Sequence, residues 1–298
     1  MATDDLIFVL PTPADFSFHE TVSAHGWRRL APFVWNEADQ TLERVEKLPA
    51  GVVLIQTSSA EDGVRVKVYG EAVKEEAMEA EVVRRVRRML QLDLPIEEFH
   101  AYCRTRPDLS HIARCKKGRL LRCPTLHEDV LKVIATSNTT WAQTIAMTGR
   151  LVEHFGAPLP QSPERRAFPT PEQIAAVPFD EFAAKARMGY RNQFVYSLSA
   201  AIAESELDLE SWQSAGQSAA ELRKQLLSLP GIGPYGAACL MLYLGQPEHV
   251  NADSVARAAL AQEFGRPVTD KEVHTFFEEH GQWRGLVYNF YPWRENNS

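Results

Sequence analysis

The chain has few cysteines and no CxxC pair. Its 298 residues contain four cysteines, so we expect reduced thiols rather than a disulfide framework. A zinc site formed by Cys103, Cys115 and Cys123 with nearby histidines is an alternative. It is disfavoured because zinc-ligand pairs usually lie two to four residues apart.

Long hydrophobic runs are also missing. No apolar stretch approaches the roughly 20 residues that span a bilayer. The N-terminal sequence MATDDLIFVLP is acidic and has only a short apolar run, whereas a signal peptide has a basic start and a longer apolar core. We expect a cytoplasmic protein without a membrane partner. Its 45% hydrophobic residues are enough for two compact units.

Positive charge is scarce in the whole chain but concentrated in one segment. The formal net charge is −7, yet between Arg84 and Arg122 eleven Lys and Arg stand against four Asp and Glu. This gives the segment a balance of +7 and leaves −14 for the remainder. Such a run is usually a solvated helix face. It is also a candidate for contacts with phosphate groups.

The secondary-structure pattern changes near residue 70. Alternating and β-branched runs predict strands around one helix at 16–27, in which Ser17 is the N-cap. The predicted strands are Asp5–Leu10, Phe33–Trp35, Thr41–Val45, Gly51–Thr57 and Val64–Tyr69. From residue 71 onward the chain is predicted to be helical, beginning with a long helix at 75–92. An irregular loop is expected at 156–170 and a last helix at 283–293.

Two helices at 219–228 and 236–244 are separated by a very short connection, Leu229–Gly233. Pro230 cannot continue the first helix, and we expect Gly231 and Gly233 to adopt backbone angles closed to other residues. Such a hairpin exposes backbone N–H groups at a helix start, where they can bind a phosphate. The alternative is an ordinary turn between two helices.

Asp253 follows the hairpin, eighteen positions after Tyr235. By itself it predicts the N-cap of a helix beginning at Ser254. Together with the hairpin it resembles the helix–hairpin–helix superfamily of base-excision DNA glycosylases. Residues 133–155 and 187–196 are similar to segments of 8-oxoguanine glycosylases and of bacterial 3-methyladenine DNA glycosylase II. The resemblance covers about residues 120–260.

The resemblance implies an α+β, mainly α fold, in which a small N-terminal antiparallel β-domain precedes an all-helical glycosylase region. The expected β-domain is 1–80 and the helical region is 81–298. Within that region we expect a six-helix domain at 124–255, with the hairpin at 219–244, and a second helical subdomain made of 81–123 and 256–298.

The resemblance also implies a set of site residues. Asp253 would be the catalytic carboxylate. The implied DNA contacts are Gly231, Ile232, Gly233, Tyr235 and Gly236 of the hairpin, with Asn138, Tyr190 and Arg191 entering the duplex. The implied base-pocket residues are Cys239, Trp141, Tyr288 and Trp35. The main-chain carbonyls of Leu227, Leu229 and Ile232 would hold a monovalent cation, K⁺ or Na⁺. Each residue also has an ordinary role as a cap, turn or core residue.

Two departures from the family pattern limit which reaction and which substrate the resemblance implies. Tyr235 replaces the Schiff-base lysine of bifunctional glycosylases, and Gln143 replaces the arginine that reads an opposite cytosine. We therefore expect a monofunctional glycosylase for damaged, alkylated purines. The alternatives are an 8-oxoguanine glycosylase and a non-catalytic module that binds DNA structure. No cysteine follows Cys239, so we expect no iron–sulfur cluster and no required cofactor.

The implied partner is double-stranded DNA that contains damaged bases. We expect a monomer, associated with the nucleoid if the source is bacterial.

Overall fold

The computed structural model describes residues 6–70, 76–213 and 217–292. Three predicted boundaries lie outside these residues: the start of the first strand at Asp5, the start of the long helix at Glu75 and the end of the last helix at Trp293.

A five-stranded antiparallel sheet forms the N-terminal part of the described chain. Its strands are β1 (Leu6–Pro11), β2 (Val34–Asn36), β3 (Thr41–Leu48), β4 (Gly51–Ala60) and β5 (Gly63–Tyr69), in the order β1-β5-β4-β3-β2. Alternate residues of β5, Val64, Val66 and Val68, are completely buried, as the period of two in a half-buried strand requires. The predicted N-terminal antiparallel sheet is confirmed.

Helices make up most of the remainder. They are α1 (Phe18–Ser23), α2 (Glu76–Met89), α3 (Glu97–Arg104), α4 (Ser110–Arg114), α5 (Leu126–Thr136), α6 (Trp141–Phe155), α7 (Pro171–Ala175), α8 (Phe179–Ala186), α9 (Arg191–Ala203), α10 (Ala219–Ser228), α11 (Pro234–Tyr243), α12 (Ser254–Phe264), α13 (Asp270–Phe277) and α14 (Arg284–Asn289). Short 3-10 helices lie at Gly26–Arg29, Glu210–Gln213 and Glu278–Trp283. The predicted fold class, α+β and mainly helical, is confirmed. Among the described residues, none of the helices has both the length and the apolar character needed to cross a membrane.

The predicted irregular loop at 156–170 contains a small hairpin instead. Its strands are β6 (Pro158–Leu159) and β7 (Ser162–Arg166). Leu159 packs in a buried cluster with Val45 of β3, and Arg165 pairs with Glu43 at 2.8 Å. These contacts join residues far apart in the chain, so the local sequence did not reveal the strands. The predicted helix at 283–293 is also different: α14 covers only Arg284–Asn289, and the residues before it form a 3-10 helix in which Gly281 is non-helical, with a φ of 53°.

The chain folds into two compact units. The first unit comprises residues 1–93 and 119–210, and the second comprises residues 94–118 and 211–298. The domain boundaries expected from the family resemblance stay predictions.

A cluster of four charged side chains, Arg44, Glu46, Glu128 and Lys132, is buried in the first unit. Glu128 of α5 accepts hydrogen bonds from Arg44 of β3, the closer at 2.9 Å, and pairs with Lys132 one helical turn away at 2.8 Å. Arg44 also pairs with Glu46. Both Glu128 and Lys132 are at most 2% exposed, and the Lys132 ammonium lies 4.7 Å from the centre of the Phe33 ring. Burial alone would raise the pKa of Glu128, but the charges of Arg44 and Lys132 hold it well below its usual range.

We predict that Glu128→Gln lowers the free energy of unfolding at pH 7 by about 3–5 kcal/mol, because it leaves the buried Lys132 beside a neutral amide and leaves Arg44 with Glu46 as its remaining carboxylate partner. Urea denaturation measures the loss. The folded pKa of Glu128 lies below its unfolded value, near 4.5, so the carboxylate stabilises the protein above that pH and loses this effect below it. The gap between wild type and variant should therefore shrink below pH 4.5. The exposed Glu61→Gln is the matched control, and a loss under 1 kcal/mol for Glu128→Gln would contradict this account.

Candidate active site

The hairpin between α10 and α11 is held by a buried pair of residues. Leu229 and Ile232 are 5% and 6% exposed, and the Ile232 N–H donates to the Leu229 carbonyl at 3.1 Å. Gly231 between them has a φ of 80°, a left-handed conformation that glycine adopts without strain. The apolar side chains anchor the turn, while Gly233 and Pro234 at its end are exposed.

Gly233 differs from the prediction. Its φ is −96°, which any residue can adopt, so the expectation that both glycines need unusual angles is correct for Gly231 and wrong for Gly233. A Cβ at Gly233 would meet no atom within 4 Å. The missing side chain therefore leaves the start of α11 open on this side.

The first turn of α11 offers backbone donors. Gly233 is its N-cap and supplies no side-chain hydrogen bond, and Pro234 occupies the first helical position. The next two N–H groups, of Tyr235 and Gly236, have no acceptor within the helix because they precede its first hydrogen bond, from Ala237 to Gly233 at 2.9 Å. Such an open helix start attracts anions.

Asp253 is fixed at the start of α12 by two hydrogen bonds. Its Oδ1 accepts the Ala256 N–H at 2.9 Å, so the predicted cap is confirmed. Its own N–H donates to the Tyr288 hydroxyl at 3.1 Å. Tyr288 is fully buried, with its ring edge-on to Phe277 at 5.3 Å between centroids. The backbone and one carboxylate oxygen of Asp253 are therefore held in place before any ligand binds.

Tyr235, Cys239 and Asn251 lie together in the same unit as Asp253. The buried Cys239 accepts a hydrogen bond from the Asn251 side chain at 3.2 Å. Cys239, then burial and the Asp253 charge, raise the pKa of Tyr235 well above its usual value. Tyr235 is therefore a neutral phenol at physiological pH. Its side chain provides no amine.

A cavity of about 160 Å³ opens beside Tyr235 in the second unit. Arg223, His249 and His274 line another part of its wall. Burial, and then the charge of Arg223, lowers the pKa of His249, so this ring is uncharged at neutral pH. Asp270 also lines the cavity but pairs with Arg257. Arg223 therefore gives the cavity its permanent positive charge, which suits an anionic group.

Asn138, Tyr190 and Arg191 come together in the first unit. Asn138 is exposed and left-handed, with a φ of 47°. The Arg191 guanidinium donates to the carbonyls of Ser137 and Asn138 and lies 4.5 Å from the centre of the Tyr190 ring. Arg191 is only 7% exposed, whereas Tyr190 is 57% exposed. The buried Arg191 therefore supports the turn that contains Asn138. The side chains of Asn138 and Tyr190 are exposed to solvent.

Gln143, Trp141 and Trp35, the other residues of this unit considered in the sequence analysis, each contact neighbouring groups of the protein. Gln143 closes a capping box with Thr140 at the start of α6, so its amide is already engaged. Trp141 is half-buried, and a Cβ at Gly26 would lie 2.4 Å from its ring. Trp35 is half-buried and lies under the Arg28 guanidinium, 5.1 Å from the ring centre. The assignment of both tryptophans to a base pocket stays a prediction.

The basic segment 84–122 is not a uniformly free cationic face. Seven of its eleven cationic residues pair with carboxylates of the described chain, and these are Arg84, Arg85, Arg87, Arg88, Arg106, Arg119 and Arg122. Intramolecular pairing therefore accounts for most of its local charge. The four cysteines are free thiols. Among the described residues no group of three or more His, Cys, Asp or Glu side chains is arranged for a metal ion.

Sequence reasoning missed three contacts of these side chains. It placed Tyr288 near the base but not under the Asp253 backbone, and it did not single out Asn251 or Gly26. Asn251 lies two positions before Asp253, close enough in sequence to have been noticed. The contacts of Tyr288 and Gly26 join residues 35 and 115 positions apart, so no local signal could have shown them.

Solved structures of DNA glycosylases share this fold. No family model matches the chain. The structure of MBOgg1 in complex with a low-affinity DNA ligand has a TM-score of 0.74 at 19% identity, with 100% of this chain and 98% of that chain covered. The 3-methyladenine DNA glycosylase from Archaeoglobus fulgidus has a TM-score of 0.73 at 18% identity, covering 98% and 99%. The apo structure of the 8-oxoguanine glycosylase/lyase from Clostridium acetobutylicum has a TM-score of 0.72 at 18% identity, with 98% of this chain and 96% of that chain covered. The chain has the fold of the helix–hairpin–helix DNA glycosylases.

Curated relatives support the same superfamily. The chain is 28% identical to the "Probable bifunctional transcriptional activator/DNA repair enzyme AlkA" of two Mycobacterium tuberculosis strains, over 96% of this chain and 54% of that protein. The chain thus spans about half the length of these relatives. The resemblance to glycosylases indicated by the hairpin and Asp253 is confirmed at the level of the superfamily.

We predict that Arg191→Met loosens the turn at 137–139 without unfolding the protein, because two carbonyls lose their donor while the side-chain volume is largely kept. Hydrogen exchange should accelerate by about tenfold at the amides of 137–139 and stay unchanged in the middle of α9. The exposed Lys185→Met, on α8, is the matched control. Unchanged exchange at Asn138 would show that Arg191 does not support the turn.

Proposed function

We propose that this protein is a monofunctional DNA glycosylase that turns a damaged purine out of duplex DNA and hydrolyses its N-glycosidic bond. The observation that carries the proposal is the fixed Asp253 carboxylate, held at the start of α12 by its cap and by Tyr288, in the unit that also presents the open hairpin. The fold of known DNA glycosylases supports it.

Asp253 has the properties that the hydrolytic step needs. As the glycosidic bond breaks, positive charge develops on the sugar, and a fixed carboxylate stabilises that charge without reorganising. The same carboxylate orients the attacking water and takes its proton. Tyr235 is a phenol and cannot form a Schiff base. Water is therefore the nucleophile, and the DNA strand keeps an intact abasic site.

Backbone donors of the hairpin bind the DNA in this proposal. The N–H groups of Tyr235 and Gly236 face a phosphate, and Gly233 leaves room for the DNA backbone to approach. The carbonyls of Leu227, Leu229 and Ile232, at the end of α10 and in the turn, suit K⁺ or Na⁺ because carbonyls at a helix end lack intrahelical donors, and the Leu229 carbonyl, which accepts the Ile232 N–H, keeps a second lone pair. Asn138 and Tyr190, both exposed, enter the duplex where the base has left, and Arg191 holds Asn138 in position.

Alkylated purines are the proposed substrates. An alkylated purine is often cationic, so it is a good leaving group, and aromatic faces such as those of Trp35 and Trp141 attract it by about 0.5–2 kcal/mol. Gln143 is engaged in a helix cap and is not an arginine, which disfavours recognition of an opposite cytosine. An 8-oxoguanine substrate is the second candidate, because two solved structures with this fold are named as an 8-oxoguanine glycosylase/lyase. In this proposal the protein is a monomer and is located with the DNA of the cell.

We predict that Asp253→Asn reduces base release by at least about 100-fold. Asn caps a helix nearly as well as Asp, so the variant should fold and bind duplex DNA within a few-fold of wild type. The assay measures release of 3-methyladenine, 7-methylguanine and 8-oxoguanine from duplexes, and the wild type should release the alkylated bases faster. Asp62→Asn, on an exposed turn, is the matched control.

Further measurements on the same duplexes test the reaction type and the substrate. Strand breaks should occur only after alkali, and borohydride should trap no protein–DNA imine. A trapped band that disappeared in Lys224→Ala would identify a lysine nucleophile instead. Excision of 8-oxoguanine opposite cytosine, with alkylated bases untouched, would establish the second candidate. DNA binding without release of any base would favour a non-catalytic module.

We also predict that Gly233→Asp weakens binding to damaged and undamaged duplexes alike by roughly tenfold, or about 1.4 kcal/mol. The substitution places a negative charge where N–H groups meet phosphate. The open space and ordinary φ of Gly233 allow the variant to fold. Gly233→Asn has nearly the same shape without the charge and should bind more tightly than the Asp variant. Equal affinities for the two variants would mean that the hairpin does not contact phosphate.

A further inference from the structure

One polar atom near Asp253 is buried without a protein partner. The Asn251 Nδ2 donates to Cys239 Sγ at 3.2 Å. The other end of the same amide, Oδ1, is buried and accepts no hydrogen bond from any described residue. Leaving a buried amide oxygen unpaired is unfavourable, and nearly all such atoms in folded proteins have a partner. An unpaired acceptor held in one orientation is therefore a candidate for ligand recognition.

The surroundings of Asn251 connect it to the proposed reaction centre. Its contact, Cys239, lies one helical turn after Tyr235 on α11. Both Cys239 and Asp253 act on the Tyr235 hydroxyl strongly enough to raise its pKa. Asn251 is also only two residues before Asp253 in the segment that leads into α12. The amide of Asn251 thus belongs to one cluster with Tyr235, Cys239 and Asp253, all in the second unit.

The chemistry of the amide limits what it can recognise. Cys239 fixes the amide by its nitrogen, which leaves the oxygen as an acceptor. The edges of natural and alkylated purines offer few donors, and exocyclic amines are the strongest discriminators among them. A site with a buried acceptor rejects analogues that lack the matching donor far more strongly than an apolar pocket rejects a change of size.

We propose that Asn251 is a specificity residue whose Oδ1 accepts a hydrogen bond from the exocyclic amine of the extruded purine. The inference rests on the proposed function and adds to it a class of substrate: alkylated purines that carry an amine are preferred over those that lack one. Aromatic contacts respond to the positive charge of the base, whereas Asn251 responds to its donor groups.

Two matched pairs of N7-methylated bases in duplex DNA isolate this contact. Guanine and hypoxanthine differ by the 2-amino group, and adenine and unsubstituted purine differ by the 6-amino group. All four are cationic after methylation, so charge on the base is common to each pair. The wild type should favour the amine-bearing base in one pair by about tenfold or more in kcat/KM.

Asn251→Leu keeps a similar volume and removes the acceptor, so the kcat/KM ratio of the favoured pair should fall to within about twofold of one. Asn251→Asp keeps an acceptor oxygen and should retain the preference. Gln246→Leu, a half-buried amide in the preceding loop, is the matched control and should leave the ratio unchanged. The ratio is insensitive to a general loss of activity, and circular dichroism with thermal denaturation checks that each variant is folded.

The outcomes separate the two proposals. A preference that disappears only in Asn251→Leu supports the assignment. Release of all four bases with no preference, or a preference that survives in Asn251→Leu, overturns the role of Asn251 and leaves the glycosylase proposal intact. A preference for the bases without an amine overturns it as well, because the amide would then present its nitrogen. If the wild type releases none of these four bases and neither 3-methyladenine nor 8-oxoguanine, both proposals are overturned.

Discussion

The carboxylate of Glu128 joins the sheet of the first unit to its central helix. Arg44 comes from β3 and Lys132 from α5, and Glu128 pairs with both of them in the core. With Glu46, which also pairs with Arg44, the cluster holds four buried charges, and such a cluster is stable only if its geometry is closely maintained. The helix that carries Glu128 ends immediately before Ser137 and Asn138, the turn that Arg191 supports. The position of that exposed turn therefore depends on a core ion cluster roughly two to three helical turns away.

The fold was predictable to the extent that local pattern determines it. Period-two runs identified the five strands, and the predicted capping residues Ser17 and Asp253 marked helix starts that the structure contains. The β6–β7 hairpin was missed because contacts with Val45 and Glu43 stabilise it, and neither is visible in its own sequence. The role of Gly233 was misinterpreted because a glycine in a sequence can mean either an unusual backbone angle or open space beside the backbone. The residue type alone does not distinguish the two.

The candidate site was predictable as a set of residues but not as a set of contacts. The hairpin and Asp253 stood out because their spacing is specific to a known superfamily. Their supports are Tyr288, Cys239 and Asn251, which approach Asp253 or Tyr235 through tertiary packing. The burial of Arg191 was equally invisible in the motif Met-Gly-Tyr-Arg-Asn. Motif spacing therefore identified where chemistry is expected, while the structure distinguished exposed side chains from those that hold them.

The close approach of Gly26 to Trp141 has an evolutionary consequence. A Cβ at position 26 would overlap the outer ring of the indole, so the Trp141 side chain would have to shift to make room for it. The two positions are therefore not equally free to change. A smaller residue at 141 leaves Gly26 undisturbed, whereas a larger residue at 26 displaces Trp141. Among homologues the two positions should covary in one direction, with a larger residue at 26 found only where 141 has already lost its tryptophan.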